Sequence, residues 1–186
     1  MTSSSKPKVS LPVVDFTDAA VNPDTQTTDC KGIVCNGCEL FNKERILGTG
    51  HQGDIDIMFV SESPSSWSVN NKQVFYGRGG RIIREAWKNL KLLDAKAGHV
   101  LRLSHLRKFD TYAIQCQVET GRESSGPIPK PVIDRCSLYL KASIVAKKPK
   151  VILAFGSNAL KALGYKGEKF MEVRGRLLSM EIGGHA

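Results

Sequence analysis

Short apolar runs alternate with amphipathic stretches along this chain, and the alternation predicts its elements. Ile55-Asp56-Ile57-Met58-Phe59-Val60 is an apolar run of strand length, read as a buried strand. Ile82, Ile83, Ala86, Trp87, Leu90 and Leu93 then recur at helical spacing, with Arg81, Arg84, Lys88 and Lys91 mostly on the other side. Phe109 to Cys116 reads as a second strand, and Gln117 to Pro129 as a polar loop with Arg122 near its tip. Pro131 opens a helix running to about Lys147, with Ile133, Cys136, Leu140 and Ile144 along its inner face. Val151 to Phe155 is the cleanest buried strand. Gly156-Ser157-Asn158 turns from it into a short helix, with Ser157 as N-cap and Gly164 as terminator. Phe170 to Ile182 reads as two strand-like runs around Arg174-Gly175-Arg176, and Gly48 to Gly53 as a loop. Strands alternating with helices predict an α/β fold, with helices on both faces of a largely parallel sheet.

Composition narrows this little. The 186 residues fit one domain with a sizeable core. Residues 1–29, rich in Ser, Thr, Pro and Asp, read as a flexible polar lead-in, which leaves residues 30–186 as the folded unit. Lys and Arg outnumber Asp and Glu by 27 to 18, a surplus that suits a polyanion such as nucleic acid and equally serves solubility. No apolar run has the length of a membrane span, and the N-terminal apolar stretch is short and broken by proline, so the expected compartment is the reducing cytoplasm.

In that compartment clustered cysteines point to metal rather than to disulfides. Cys35-Asn36-Gly37-Cys38 is a local pair, and Cys116 and Cys136 are distant singles. One pair and two singles have the arithmetic of a tetrahedral metal or iron–sulfur site, and Cys30 is the odd one out. The plainer alternative is that Cys116 and Cys136 are buried apolar thiols. Small polar residues, Ser61 to Ser66, close the first strand, where an α/β sheet places ligands. Glu62 is the only carboxylate among them, with a surface turn or a helix cap as its plain role. Val74 to Gly80 mixes aromatics, glycines and Arg78 ahead of a helix, a weak anion-binding pattern.

Several segments in order resemble the iron–sulfur uracil-DNA glycosylases, the family 4 branch of the uracil-DNA glycosylase superfamily. The segments are Cys35-Asn36-Gly37-Cys38-Glu39-Leu40, Val60-Ser61-Glu62-Ser63-Pro64-Ser65, Phe75-Tyr76-Gly77-Arg78-Gly79-Gly80, Cys116 with Cys136, Pro149 to Leu163, and Arg174-Gly175. The resemblance implies a three-layer αβα sandwich around a short parallel sheet, and a structural [4Fe–4S] cluster on Cys35, Cys38, Cys116 and Cys136. It implies DNA as partner and removal of a flipped uracil by hydrolysis of its N-glycosidic bond. Glu62 falls in the water-activating motif, and Phe75 at the position that stacks on uracil. Ser63 and Gly77, Arg78 and Gly79 fall where backbone N–H groups meet base or phosphate, and Ser157 and Asn158 in a loop facing the DNA.

The chain departs from the pattern at three places. Tyr112 stands where the family has the asparagine that reads the uracil edge, and Ser61 and Ser65 replace glycines around Glu62. The family's closing histidine motif has no counterpart before Ala186. The chain is then either the front part of a longer polypeptide or a diverged member. The alternative to the enzyme is a non-catalytic iron–sulfur DNA-binding module docking to replication or repair proteins.

Overall fold

The computed structural model describes residues 35–89, 91–94, 99–102, 105–118 and 128–182. The lead-in at residues 1–29, Cys30, Leu90, Arg122 and His185 lie outside the described residues.

The central sheet has the order β1-β5-β2-β6, with β1 at Thr49–Gly50, β2 at Ile57–Ser61, β5 at Lys108–Tyr112 and β6 at Val151–Phe155. β2 runs parallel to both β5 and β6, and β1 closes the other edge antiparallel to β5. Gly48 to Gly53 therefore holds a short strand where a loop was expected: Thr49 and Gly50 pair with Asp110 and Phe109. β2 is central, and its residues Ile57 to Val60 are buried on both faces, as a near-continuous apolar run requires.

Side-chain alternation along β2 separates two cores. Met58 and Val60 pack with Phe109 against α3 (Lys130–Lys147) and α4 (Ser157–Ala162), through Val132, Ile133, Leu140, Ile144, Ala159 and Ala162. Ile57 and Phe59 face the opposite way, onto Val74, Phe75 and Tyr112, with Ile83 and Trp87 of α2 (Arg78–Asn89) against them. Helices on both faces of the sheet make the expected αβα sandwich. Among the described residues no helix is long and apolar enough to cross a membrane.

Four expectations change. α2 ends at Asn89, and Lys91–Asp94 (β3) pairs antiparallel with His99–Arg102 (β4), which places Leu93 in a ribbon. Of the arc residues whose burial is described, only Ile83 and Trp87 are half-buried, while Ile82 is 58% exposed, because the helix meets the sheet along one i, i+4 row. β6, expected to be the cleanest buried strand, pairs with β2 alone among the described strands and leaves Val151 and Leu153 exposed. The region after Phe170 begins with a helical turn, α5 (Phe170–Val173), in which Phe170 O accepts the Arg174 N–H at 3.0 Å.

The N-terminal ends of the three parallel strands meet on Asp56. Its carboxylate accepts Arg107 Nε and Nη2, both at 3.2 Å, the Arg107 backbone N–H at 2.9 Å and Lys150 Nζ at 2.9 Å. The Arg107 and Lys150 hydrogen bonds hold the carboxyl well below the usual carboxylate range.

Candidate active site

The opposite, C-terminal ends of β2, β5 and β6 carry the candidate site, the position where open α/β sheets bind ligands. Parallel pairing continues one step past the strands: Ala113 N–H donates to Ser61 O at 2.7 Å and Ile114 N–H to Glu62 O at 2.9 Å. The Glu62 backbone is thereby fixed on the sheet, and its half-buried side chain leans toward β6.

There Glu62 Oε1 accepts the Asn158 backbone N–H at 2.8 Å and lies 3.4 Å from Ser157 Oγ. Glu62 thus caps α4 from another strand, and the expected N-cap role of Ser157 is corrected. Ser157 is the first helical residue, and the N-cap position is Gly156, at φ +98°. A carboxylate satisfies the orphan N–H groups and the positive end of this helix better than a hydroxyl does. A Cβ on Gly156 would stand 2.5 Å from the Glu62 carboxyl carbon, so a glycine is needed there for space as well as for conformation. Glu62 Oε2 makes no hydrogen bond to the described residues.

A second group forms around Tyr112, at the end of β5 and 3% exposed. Its hydroxyl accepts the Phe75 backbone N–H at 2.8 Å and pairs with Ser68 Oγ at 2.9 Å. Phe75, 6% exposed, meets Tyr112 edge to face at 5.4 Å between ring centroids and Phe155 at 6.3 Å. Phe155 precedes Gly156, so the aromatic group adjoins the Glu62 cap. Phe75 has φ +55°, and Gly80 packs so closely on its carbonyl that a Cβ there would collide with it. The same carbonyl accepts Arg84 Nη1 at 2.6 Å. Arg84, expected on the solvated side of its helix, is half-buried and clamps this loop.

The remaining candidates are arranged around these two groups. Ser63 is half-buried directly after Glu62, and Asn158 is buried at the start of α4. Gly77, at φ +115°, leads into α2, where Arg78 and Gly79 are exposed. Ser68 and Phe155 were not singled out as site residues from sequence, and Ser65 and Arg84 stood out there only as a departure from the family pattern and as part of a polar helix side. Ser65-Ser66-Trp67-Ser68 carries a readable signal, a serine N-cap three residues before its bonding partner.

The four cysteines come from three segments beside the N-terminal half of α3. The Cys35–Cys38 turn is held on that helix by Arg135 Nη1 donating to Asn36 O at 2.6 Å and by Cys35 Sγ against Tyr139 Oη at 3.6 Å. Cys136 lies between Arg135 and Tyr139, and Cys116 bridges to Arg45 in the backbone. Burial, followed by the nearby Cys116, Cys38 and Cys35, pushes the Cys136 thiol up to about 12. Among the described residues no three Cys, His, Asp or Glu side chains already stand in metal-ligating geometry. The buried Arg45 guanidinium lies 4.3 Å over the Tyr139 ring and donates to Gln115 Oε1 at 2.5 Å, a fixed cation beside the thiols.

A search of curated proteins finds no match to the chain. The family model of the uracil DNA glycosylase superfamily matches residues 47–181. The match takes in Glu62, Phe75, Tyr112, Cys116, Cys136, Ser157 and Asn158 and begins after Cys35 and Cys38, so it covers the candidate site and leaves the CxxC pair outside. With the αβα sandwich and the carboxylate at the C-terminal end of its central strand, that match establishes that the chain belongs to the uracil DNA glycosylase superfamily.

Proposed function

We propose that this chain is a uracil-DNA glycosylase of base-excision repair, acting on DNA with a flipped uracil. The observation that carries the reading is Glu62: at the end of the central strand one carboxylate oxygen is pinned by the Asn158 N–H at 2.8 Å, and the other makes no hydrogen bond to the described residues. In the reaction the N-glycosidic bond breaks, its electron pair leaves with uracil N1, and positive charge builds on the sugar. Glu62 Oε2 orients a water whose oxygen bonds to C1′ and whose proton leaves through the carboxylate to the departing base. The same negative charge stabilises the cationic sugar. Phe75, backed by Tyr112 and Phe155, is the apolar wall for the base, and the backbone at Ser63 and Gly77 to Gly79 meets its polar edge or the phosphates.

Cys35, Cys38, Cys116 and Cys136 would hold a [4Fe–4S] cluster. Four soft donors from three segments and the buried Arg45 beside them suit an anionic iron–sulfur centre. Its contribution would be structural, joining the CxxC turn, the segment after β5 and α3 into one unit.

The test is incubation of anaerobically purified, cluster-loaded protein with single- and double-stranded oligonucleotides bearing one deoxyuridine, followed by alkali. Strand cleavage that falls at least about a hundredfold in Glu62→Gln is expected. Glutamine still accepts the Asn158 N–H, so that variant keeps the helix cap and removes only the charge. Absence of cleavage by a loaded protein that binds DNA would overturn the enzyme reading. It would favour the second reading, a non-catalytic DNA-binding module, which Tyr112 supports because its hydroxyl is spent within the protein.

A further inference from the structure

Trp67 is 66% exposed, although tryptophan is among the residues most buried on average. It stands on α1 (Ser66–Asn70), five residues after Glu62, and Tyr76 beside it is 38% exposed.

The mount beneath Trp67 is rigid. Ser65 Oγ caps α1 by accepting the Ser68 N–H at 3.2 Å, and Asn71 Nδ2 donates to Trp67 O at 2.9 Å. The Ser68 and Ser65 hydroxyls reach the Tyr76 carbonyl at 3.0 and 3.3 Å, which joins the Trp67 turn to the Tyr76 segment. Gly77 lies against the root of the indole: a Cβ there would stand 3.5 Å from Trp67 Cβ and 3.8 Å from Cγ. The backbone is therefore held on both sides, while two thirds of the side chain stays in water.

The charged side chains on the first turn of α2 are cationic. Arg78 and Arg81 are exposed on the first turn of α2, and neither α1 nor α2 has an acidic residue in its first turn. Arg81 has only a loose contact to Glu85, at 4.0 Å between two exposed side chains. A fixed aromatic beside exposed arginines is the arrangement that binds unpaired nucleic acid, bases on the ring and phosphates on the cations.

We propose that Trp67 is a stacking platform for an unpaired nucleobase, next to the one that enters the site, on a DNA strand whose phosphates follow Arg78 and Arg81. This rests on the DNA reading above and adds a substrate preference to it. An indole face needs an unstacked base, so single-stranded DNA binds more tightly than duplex.

The chain has two tryptophans, and the other, Trp87, is half-buried with its ring edge-on to Phe59 at 5.1 Å. Titration with uracil-free oligothymidylate therefore reads Trp67 without turnover. Quenching of the solvent-exposed emission is expected, with weaker quenching by a duplex of equal length. Trp67→Ala is expected to lose the quenching and to bind about tenfold or more weakly by anisotropy. Trp67→Phe should keep most of the affinity, and both variants should melt like the wild type. Oligothymidylate affinity unchanged in Trp67→Ala, or quenching that persists in it, would overturn the platform and leave the DNA reading standing. A wild type without affinity for any DNA would remove both.

Discussion

The phenolic oxygen of Tyr112 lies 2.8 Å from the backbone nitrogen of Phe75 and accepts its N–H. Ser68 Oγ, 2.9 Å from the same oxygen, also reaches the Tyr76 carbonyl at 3.0 Å. One proton assignment satisfies both contacts: Ser68 donates to Tyr76 O, and Tyr112 donates to Ser68. The hydroxyl is then occupied as donor and as acceptor within the protein. The residue that stands where the resemblance expects a base-reading asparagine is the latch of the loop that carries Phe75. That loop needs a latch, since φ +55° is a costly conformation for an aromatic residue.

Tyr112→Phe keeps the ring contact and leaves the buried Phe75 N–H without its acceptor. A loss of about 1–3 kcal/mol in urea unfolding is expected. Hydrogen exchange at the Phe75 amide should accelerate beyond the global change. An unaltered exchange rate would refute the latch.

Gly156→Ala strikes the cap of α4. The new Cβ meets the Glu62 carboxyl at 2.5 Å, at a φ of +98° that side chains rarely adopt. The strain is about 1–3 kcal/mol, and Glu62 must move off the Asn158 N–H. Deoxyuridine excision should fall nearly as far as in Glu62→Gln, with a lower melting temperature that Glu62→Gln does not share. A fully active Gly156→Ala protein would separate the cap from the chemistry.

Asp56 gives the fold a pH dependence. Its carboxyl is depressed by Arg107 and Lys150, so the folded state binds fewer protons than the unfolded one below the ordinary carboxylate range. The stability it contributes is present above about pH 4, the usual carboxylate pKa, and is lost as pH falls. Asp56→Asn should melt lower than the wild type at pH 7, and the gap should close toward pH 2. A gap that is the same at both pH values would show that the ion pairs contribute nothing. The clamp lies at the end of the sheet away from Glu62, so excision at a permissive temperature should change little.

The cluster proposal predicts metal content by cysteine. Replacing Cys136 by serine should remove iron and the brown colour and lower the melting temperature, while Cys30→Ser should keep all three at wild-type values. A chelator with a reductant should destabilise the wild type and spare the already iron-free Cys136 variant. Zinc in place of iron in the wild type would overturn the iron–sulfur assignment.

Much of this was legible in the sequence, because it depends on local pattern. The run Ile55 to Val60 gave the central strand, starting two residues early, and the 3.6-residue rhythm from Pro131 gave α3 within a residue at each end. Glu62 stood out as the lone carboxylate at a strand end, and a helix cap was one of its plain readings. Leu93 and the segment after Phe170 were misplaced because short apolar runs fit strand and helix equally well. Only long-range pairing decides between them.

The sequence by itself determined the α/β class and the order of the motifs. Those follow from periodicity and residue type, which are properties of single segments. The tertiary structure alone decided which helix Glu62 caps, that Tyr112 turns its hydroxyl to Phe75, and that Trp67 faces water while Trp87 does not. Each depends on where separate strands and helices meet. Asn158 is 96 residues from Glu62, and Tyr112 is 37 from Phe75. No local pattern specifies which donor will reach which acceptor across such distances.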